Sequence, residues 1–179
     1  MRRPIKIYRN LSYEWPDDEA VPARSLAMKD IDAENAHLVR AIREDSLARV
    51  FVRFSDEGRH GVFALVDGVP AGHAWITAPI DRAAVVNSYA RLEAGECLIH
   101  YCFVDPRHRG RGIYREMLHE LTAWALDSGA GRVLVDTGRD NISSQRGIVR
   151  AGFAARQETT DIVVARRLVW SRRRPFRRL

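Results

Sequence analysis

The sequence predicts one α/β domain, a mixed sheet with helices on both faces, and three observations carry that reading. Residues 97–104 form a strand-like run that passes through a glycine-containing loop into a helix. That helix repeats apolar residues at Ile113, Met117, Leu121 and Trp124, the spacing of one buried face. Apolar runs at 60–66 and 71–77 flank Asp67-Gly68, a strong hairpin signal. After residue 97, strands and helices alternate. Helices, then an antiparallel hairpin, then alternation calls for layers on both sides of one sheet. A chain of 179 residues suits a single domain that buries roughly 70 % of its unfolded surface.

The elements follow in order. Residues 1–23 read as an irregular N-terminal extension with an acidic cluster at Asp17-Asp18-Glu19 and one short strand at 5–8. The folded domain is expected over 24–171. It opens with a short strand at 24–28, then a helix capped by Asp30 or Asp32 with Ile31, Leu38, Val39 and Ile42 on its apolar side. A second helix covers 46–54. Residues 79–94 are ambiguous between loop and short helix. Next come strand 97–104, helix 111–127, strand 132–137, helix 142–150 and strands at 153–159 and 162–170. Residues 172–179 are expected to be a basic, solvated tail.

Composition excludes several classes. No run of 18 apolar residues marks a membrane-spanning helix. The first residues carry the charge of a signal peptide without its apolar core. Cys97 and Cys102 are an odd number apart in one strand, so alternation places them on opposite faces, unable to pair. The six histidines show no metal-ligand spacing. A reduced, cytoplasmic protein without metal is expected. The net charge of +6 suits an anionic ligand. Only Lys6 and Lys29 are lysines, a skew that fits genome composition.

The chemistry lies in Val104-Asp-Pro-Arg-His-Arg-Gly-Arg-Gly112. A helix N-terminus presents free N–H groups and the positive end of its dipole. Gly110 and Gly112 let the backbone approach a ligand closely, and Arg107, Arg109 and Arg111 add charge. Together they make a phosphate or pyrophosphate cradle. It is neither a P-loop, which needs Gly-Lys-Ser/Thr, nor a dinucleotide fingerprint, which needs a third glycine.

Val104, Pro106, Arg107, Gly110 and Gly112 resemble the acyl-CoA loop of the GCN5-related N-acetyltransferases. A second stretch, with Asn141, Ser144, Gly152 and Phe153, resembles the family's downstream signature. Two motifs in order, at the right separation, are far more specific than either alone. The likeness extends over about 25–170 and is strong for 97–153. It implies a mostly antiparallel sheet splayed into a central V between strands 97–104 and 132–137, with the pantetheine arm of acetyl-CoA or another acyl-CoA in the gap. It implies contacts to the co-substrate from Phe103, Val104, Arg107, Arg109, Gly110, Arg111, Gly112 and Ile113, with Asn141 and Ser144 on its arm. It also implies that the Val104 N–H stabilises the oxyanion.

The activity so implied is transfer of an acyl group, acetyl above all, to a primary amine of a small molecule, with amino sugars one acceptor class. Strand alternation puts Leu98, His100, Cys102 and Val104 on one face, which the resemblance makes the acceptor face. His100 is then the candidate base, since imidazole titrates near neutrality, with Glu96 and Asp136 as reserves. Many members carry a tyrosine seven residues after the signature asparagine to protonate the leaving thiolate. Here that residue is Ile148. A thiol with a pKa of about 8.5 leaves tolerably as its anion, and Ser144 and Tyr114 are weak substitutes. Two rival readings remain: an enzyme that takes its acyl group from acyl carrier protein, and a non-catalytic acyl-CoA sensor. A homodimer is compatible with either. The C-terminal stretch 166–179 holds seven arginines interleaved with Trp170 and Phe176. A solvated end is the first reading, weak contact with anionic membrane the second, and nucleic acid the least favoured.

Overall fold

The computed structural model describes residues 5–79, 82, 84–86, 90–165 and 167–176. In chain order the elements are β1 (Ile5–Glu14), β2 (Ala27–Asp30), a 3-10 helix (Ala36–Ala41), α1 (Leu47–Asp56), β3 (His60–Val66), β4 (Val69–Ile76), β5 (Ala84–Val86) and β6 (Ala90–Leu92). Then follow β7 (Glu96–Val104), a 3-10 turn (Pro106–His108), α2 (Ile113–Asp127), β8 (Arg132–Gly138), α3 (Ile142–Arg150), β9 (Ala154–Val164) and β10 (Arg167–Pro175). Eight strands make one sheet in the order β10-β9-β1-β8-β7-β4-β3-β2. β5 and β6 pair as a separate hairpin.

Both faces are covered, as expected. α2 lays Ile113, Met117, Leu118, Leu121 and Ala125 against β3, β4 and β7, and Ile148 of α3 joins the same core. On the other face α1 brings Phe51 and Phe54 onto Phe63 and Trp75. Farther along that face, Leu92 of the small hairpin packs on Leu98 and Leu134. Asp67 and Gly68 turn the β3–β4 hairpin with φ of 51° and 77°, the left-handed pair that a two-residue turn demands.

Among the described residues β7 and β8 form the one parallel pair, and it is short. It runs from Glu96↔Arg132 to Ile99↔Val135. Beyond that point β7 continues to Val104 and β8 to Gly138 without pairing, which opens the V. The closed end is tied by Glu96. It is 1 % exposed and accepts from Arg132 at 2.8 Å and Arg156 at 3.0 Å. A buried carboxylate held by two guanidiniums is a structural tie, so Glu96 does not serve as a reserve base.

Several expectations are corrected. Residues 5–14 are not part of an irregular extension. They form a ten-residue strand inside the sheet, paired with β9 along its length and with β8 from Asn10↔Gly138 to Glu14↔Leu134. Its partners lie more than a hundred residues away, so no local pattern announces it. The first helix is only a six-residue 3-10 helix. The Asp32 carboxylate accepts from the Asn35 N–H at 2.8 Å and diverts the chain into a turn where the helix was expected to begin. Where 79–94 are described, they hold the β5–β6 hairpin and no helix.

The tail boundary also moves. Residues 172–175 belong to β10, in register with Thr160 through Gln157. The Phe176 N–H donates to Arg156 O at 3.0 Å, and its ring packs on the core. Residues 166 and 177–179 lie outside the described residues. Cutting the chain after Ser171 should therefore lower stability rather than leave it unchanged. With roughly 1 kcal/mol net per ladder bond, the loss should be about 2–3 kcal/mol, read as a lower denaturant midpoint. An unchanged midpoint would return these residues to the solvated tail.

Candidate active site

The glycine loop sits where β7 ends. Gly110 and Gly112 take φ of 78° and 80°. Gly112 is the N-cap of α2, with no side chain capping it. The first-turn N–H groups of Ile113, Tyr114 and Arg115 are thereby left to an anion. The arginines divide in role. Arg107 turns back, donating from Nε to both Asp105 oxygens at 3.1 Å and from Nη2 to Ala41 O at 3.3 Å. Asp105 also accepts from the Arg107 N–H at 2.9 Å, which caps the 3-10 turn. Arg107 thus shapes the loop with its guanidinium already engaged. Arg109 reaches Val104 O through Nε at 3.3 Å, while the Arg111 side is exposed.

Val104 addresses the V through its backbone. The Asp105 N–H donates to Ala71 O on β4 at 2.9 Å. Successive N–H groups in a strand point to opposite edges, so that of Val104 points away from β4, into the gap.

A cavity of about 210 Å³ occupies that gap. Tyr8 and Asn10 of β1, His100 and Cys102 of β7, Tyr114 of α2, Asp136 of β8, and Asn141 and Ser144 of α3 contribute to its wall. The Asn141 side chain caps α3 by accepting from the Ser144 N–H at 3.1 Å. Asn141 and Ser144 thus share one cavity wall with Cys102 and Asp136, and the Val104 N–H points toward the same gap.

His100 is placed differently from its expectation. The β4–β7 register passes from Trp75↔His100 to His73↔Phe103, so two residues of β7 oppose Ala74 alone. Tyr101 takes φ 55° at this bulge. One extra residue reverses the alternation. Cys102 and Val104 pack toward α2, whereas the ring of His100 packs on Phe54 of α1, 5.5 Å between centroids. His100 is 6 % exposed and its Nε2 accepts from Arg59 Nη1 at 3.3 Å. Burial, then the Arg59 charge, pushes its pKa down to about 3. An imidazole so disposed stays uncharged at neutral pH and is a weak base. The bulge also brings Cys97 and Cys102 to the same face, against the parity argument. They remain free, because five strand residues separate them by roughly 16 Å.

Asp136 holds the contrasting position. It follows Val135, the last β8 residue paired with β7, and so stands at the fork of the V. It is half-buried and accepts from Asn10 Nδ2 at 3.4 Å. Burial, then the neighbouring Asp161 charge, raises its carboxyl to about 6. Asp136 also borders a smaller hollow of about 40 Å³ on the α1 side of the sheet, where Ser12, Gln157, Thr159, Asp161 and Arg173 meet Leu92, Leu98 and Leu134. It alone of the named candidates faces both spaces. Sequence reasoning kept Asp136 in reserve and missed Asn10 and Asp161, whose strands reach the site only through sheet pairing. Among the described residues no group of three or more His, Cys, Asp or Glu side chains is arranged to hold a metal.

A fork between parallel strands, with a glycine turn and a free helix N-terminus at its mouth, is the arrangement that the two sequence motifs implied. The profile of the Acetyltransferase (GNAT) family matches residues 13–153, and the chain belongs to that family. No curated protein matches. Solved structures agree in fold. A GNAT-family acetyltransferase from Colwellia psychrerythraea superposes with TM-score 0.66 at 16 % identity, over 90 % of this chain and 56 % of that one. One from Novosphingobium aromaticivorans gives 0.63 at 15 %, over 90 % and 66 %. This chain thus spans about half to two thirds of their length. The aminoglycoside N-acetyltransferase AAC(6')-Iy in complex with CoA gives 0.55 at 21 %, over 72 % and 91 %.

Proposed function

We propose that this protein moves an acetyl group from acetyl-CoA to a primary amine of a small, hydroxyl-bearing molecule, with Asp136 as the general base. Asp136 carries the reading: it is a carboxyl poised near neutrality at the fork where the two substrates would meet. A base works best when its pKa lies near the working pH. The pyrophosphate would rest on the N–H groups of 110–115 with Arg109 and Arg111, and the pantetheine arm would run along Asn141 and Ser144 into the gap. The acceptor would approach from the α1 side, where Ser12, Gln157, Thr159 and Asp161 share with Leu92, Leu98 and Leu134 a hollow of about 40 Å³, enough for the amine-bearing end alone. Hydroxyls, an amide and a second carboxylate suit a polyhydroxylated amine such as an amino sugar.

In the reaction Asp136 removes a proton from the ammonium or attacking amine, and the amine nitrogen adds to the thioester carbon. The Val104 N–H, fixed by the pairing of Asp105 with β4, faces the developing oxyanion. The sensor reading gives no reason for a carboxyl shifted toward neutrality beside this gap.

Incubating the protein with acetyl-CoA and a panel of amines tests the reading. Release of free thiol should depend on the amine, and amino sugars should exceed simple alkylamines. A parallel reaction with acetylated carrier protein separates the donor classes. Thiol release from the carrier alone would replace CoA as the donor. No amine-dependent release with either would leave only the sensor.

A further inference from the structure

The position that the family resemblance assigns to the leaving-group acid is empty of acid chemistry. Ile148 is fully buried in the core beneath α3, so its side chain does not face the gap. Two helix-borne hydroxyls line the gap, that of Ser144 on α3 and that of Tyr114 on α2. Tyr114, the second residue of α2, lies across α3 at Gly147. A Cβ built on Gly147 would sit 2.6 Å from Tyr114 Cδ1 and 2.9 Å from Cε1. The ring therefore occupies the space of the side chain that Gly147 lacks. Glycine inside a helix costs about 1 kcal/mol relative to alanine, and here it makes room for the ring. The Tyr114 Oη stands 3.2 Å from Ser144 Oγ. Both line the 210 Å³ cavity with Cys102, Asp136 and Asn141.

The cavity resists a sulfur anion. Cys102, in the same wall, has its thiol pushed up to about 12 by burial, then by Asp136. Burial in that wall disfavours an anion, so a proton donor there would assist a departing thiolate. Tyr114 stays protonated, because burial, then Cys102, raises its phenol above the usual value.

We propose that Tyr114 donates the proton to the departing CoA thiolate, from α2 rather than α3, and that Gly147 exists to seat its ring. This rests on the acyltransferase reading above. As the tetrahedral intermediate collapses, the C–S bond breaks and its electron pair stays on sulfur. The Tyr114 Oη–H proton passes to that sulfur. The proton that Asp136 took from the amine returns to the phenolate through the shared cavity. The sum is amine plus thioester giving amide plus thiol.

The test compares two donors in wild type, Tyr114→Phe and Gly147→Ala. One donor is acetyl-CoA. The other is an acetyl thioester of an acidic aryl thiol, whose anion needs no proton. Tyr114→Phe should lower kcat with acetyl-CoA by on the order of 10²-fold with KM within about threefold, and the loss should largely vanish with the aryl thioester. Gly147→Ala should show the same dependence on donor, since it displaces the ring while keeping the hydroxyl. That second variant carries the test if Tyr114→Phe folds poorly. Equal losses with both donors, or wild-type kcat in Tyr114→Phe, would overturn the role of Tyr114. A wild type without amine-dependent thiol release would instead sink the underlying acyltransferase reading.

Discussion

Asp136→Asn is expected to lower turnover by on the order of 10²-fold or more while acetyl-CoA affinity changes little. The variant keeps the size and shape of the side chain and an oxygen for Asn10, and removes only the capacity to take a proton. The pH dependence supplies an independent check. The wild-type carboxyl is active when ionised, so the rate should climb as pH rises through about 6, and the variant should lose that limb. His100→Gln should keep the limb and stay within about tenfold of wild-type turnover, because the imidazole titrates near pH 3 and is occupied by Arg59.

Stability should move in the opposite direction. The folded pKa of Asp136 is raised, so the folded state binds this proton more tightly than the unfolded chain does. The group's contribution is then most favourable below the unfolded value, near 3.9, and is lost as pH rises through about 6. At pH 7 Asp136→Asn should be more stable than wild type by on the order of 1 kcal/mol, after allowance for partial exposure. Lost activity with gained stability is the signature of a functional group held against the preference of the fold. Loss of both together would mark Asp136 as structural.

Gly112→Val should abolish acetyl-CoA binding. Residue 112 caps α2 at φ 80°, where an L-residue is strained by roughly 1–2 kcal/mol and a β-branched one by more. Relaxation toward negative φ would redirect the N–H groups that form the cradle. Ligand at a hundred times its Kd stabilises the native state by about 2.7 kcal/mol. In a domain of this size that corresponds to a Tm rise of roughly 5–10 °C. Wild type should show this rise and Gly112→Val should show none. Gly110→Val should behave alike, since φ there is 78° with open space around the position, which makes backbone conformation, not crowding, the constraint. A full Tm rise in both variants would place the anion elsewhere.

How much of this was legible in the sequence follows the range of each interaction. The strand–loop–helix unit of β7 and α2, the Asp67-Gly68 hairpin and the Asn141 cap of α3 are set by residues within about a turn of one another, and the sequence alone placed them. It likewise placed the glycine turn and the uncapped start of α2, on which the proposed anion cradle rests, since these residues are contiguous. It could not show the inserted residue at Tyr101. A bulge leaves composition unchanged and appears only as a register shift between β4 and β7, yet that one residue turns His100 away from the face of Val104. Nor could it show that residues 5–14 form an inner strand, or that Asn10 supports Asp136, because those pairings close loops of more than a hundred residues. The proposed base is therefore a tertiary property. Asp136 is an ordinary aspartate in the sequence. Burial at the fork and the nearness of Asp161, both products of strand pairing over long separations, bring its pKa toward neutrality.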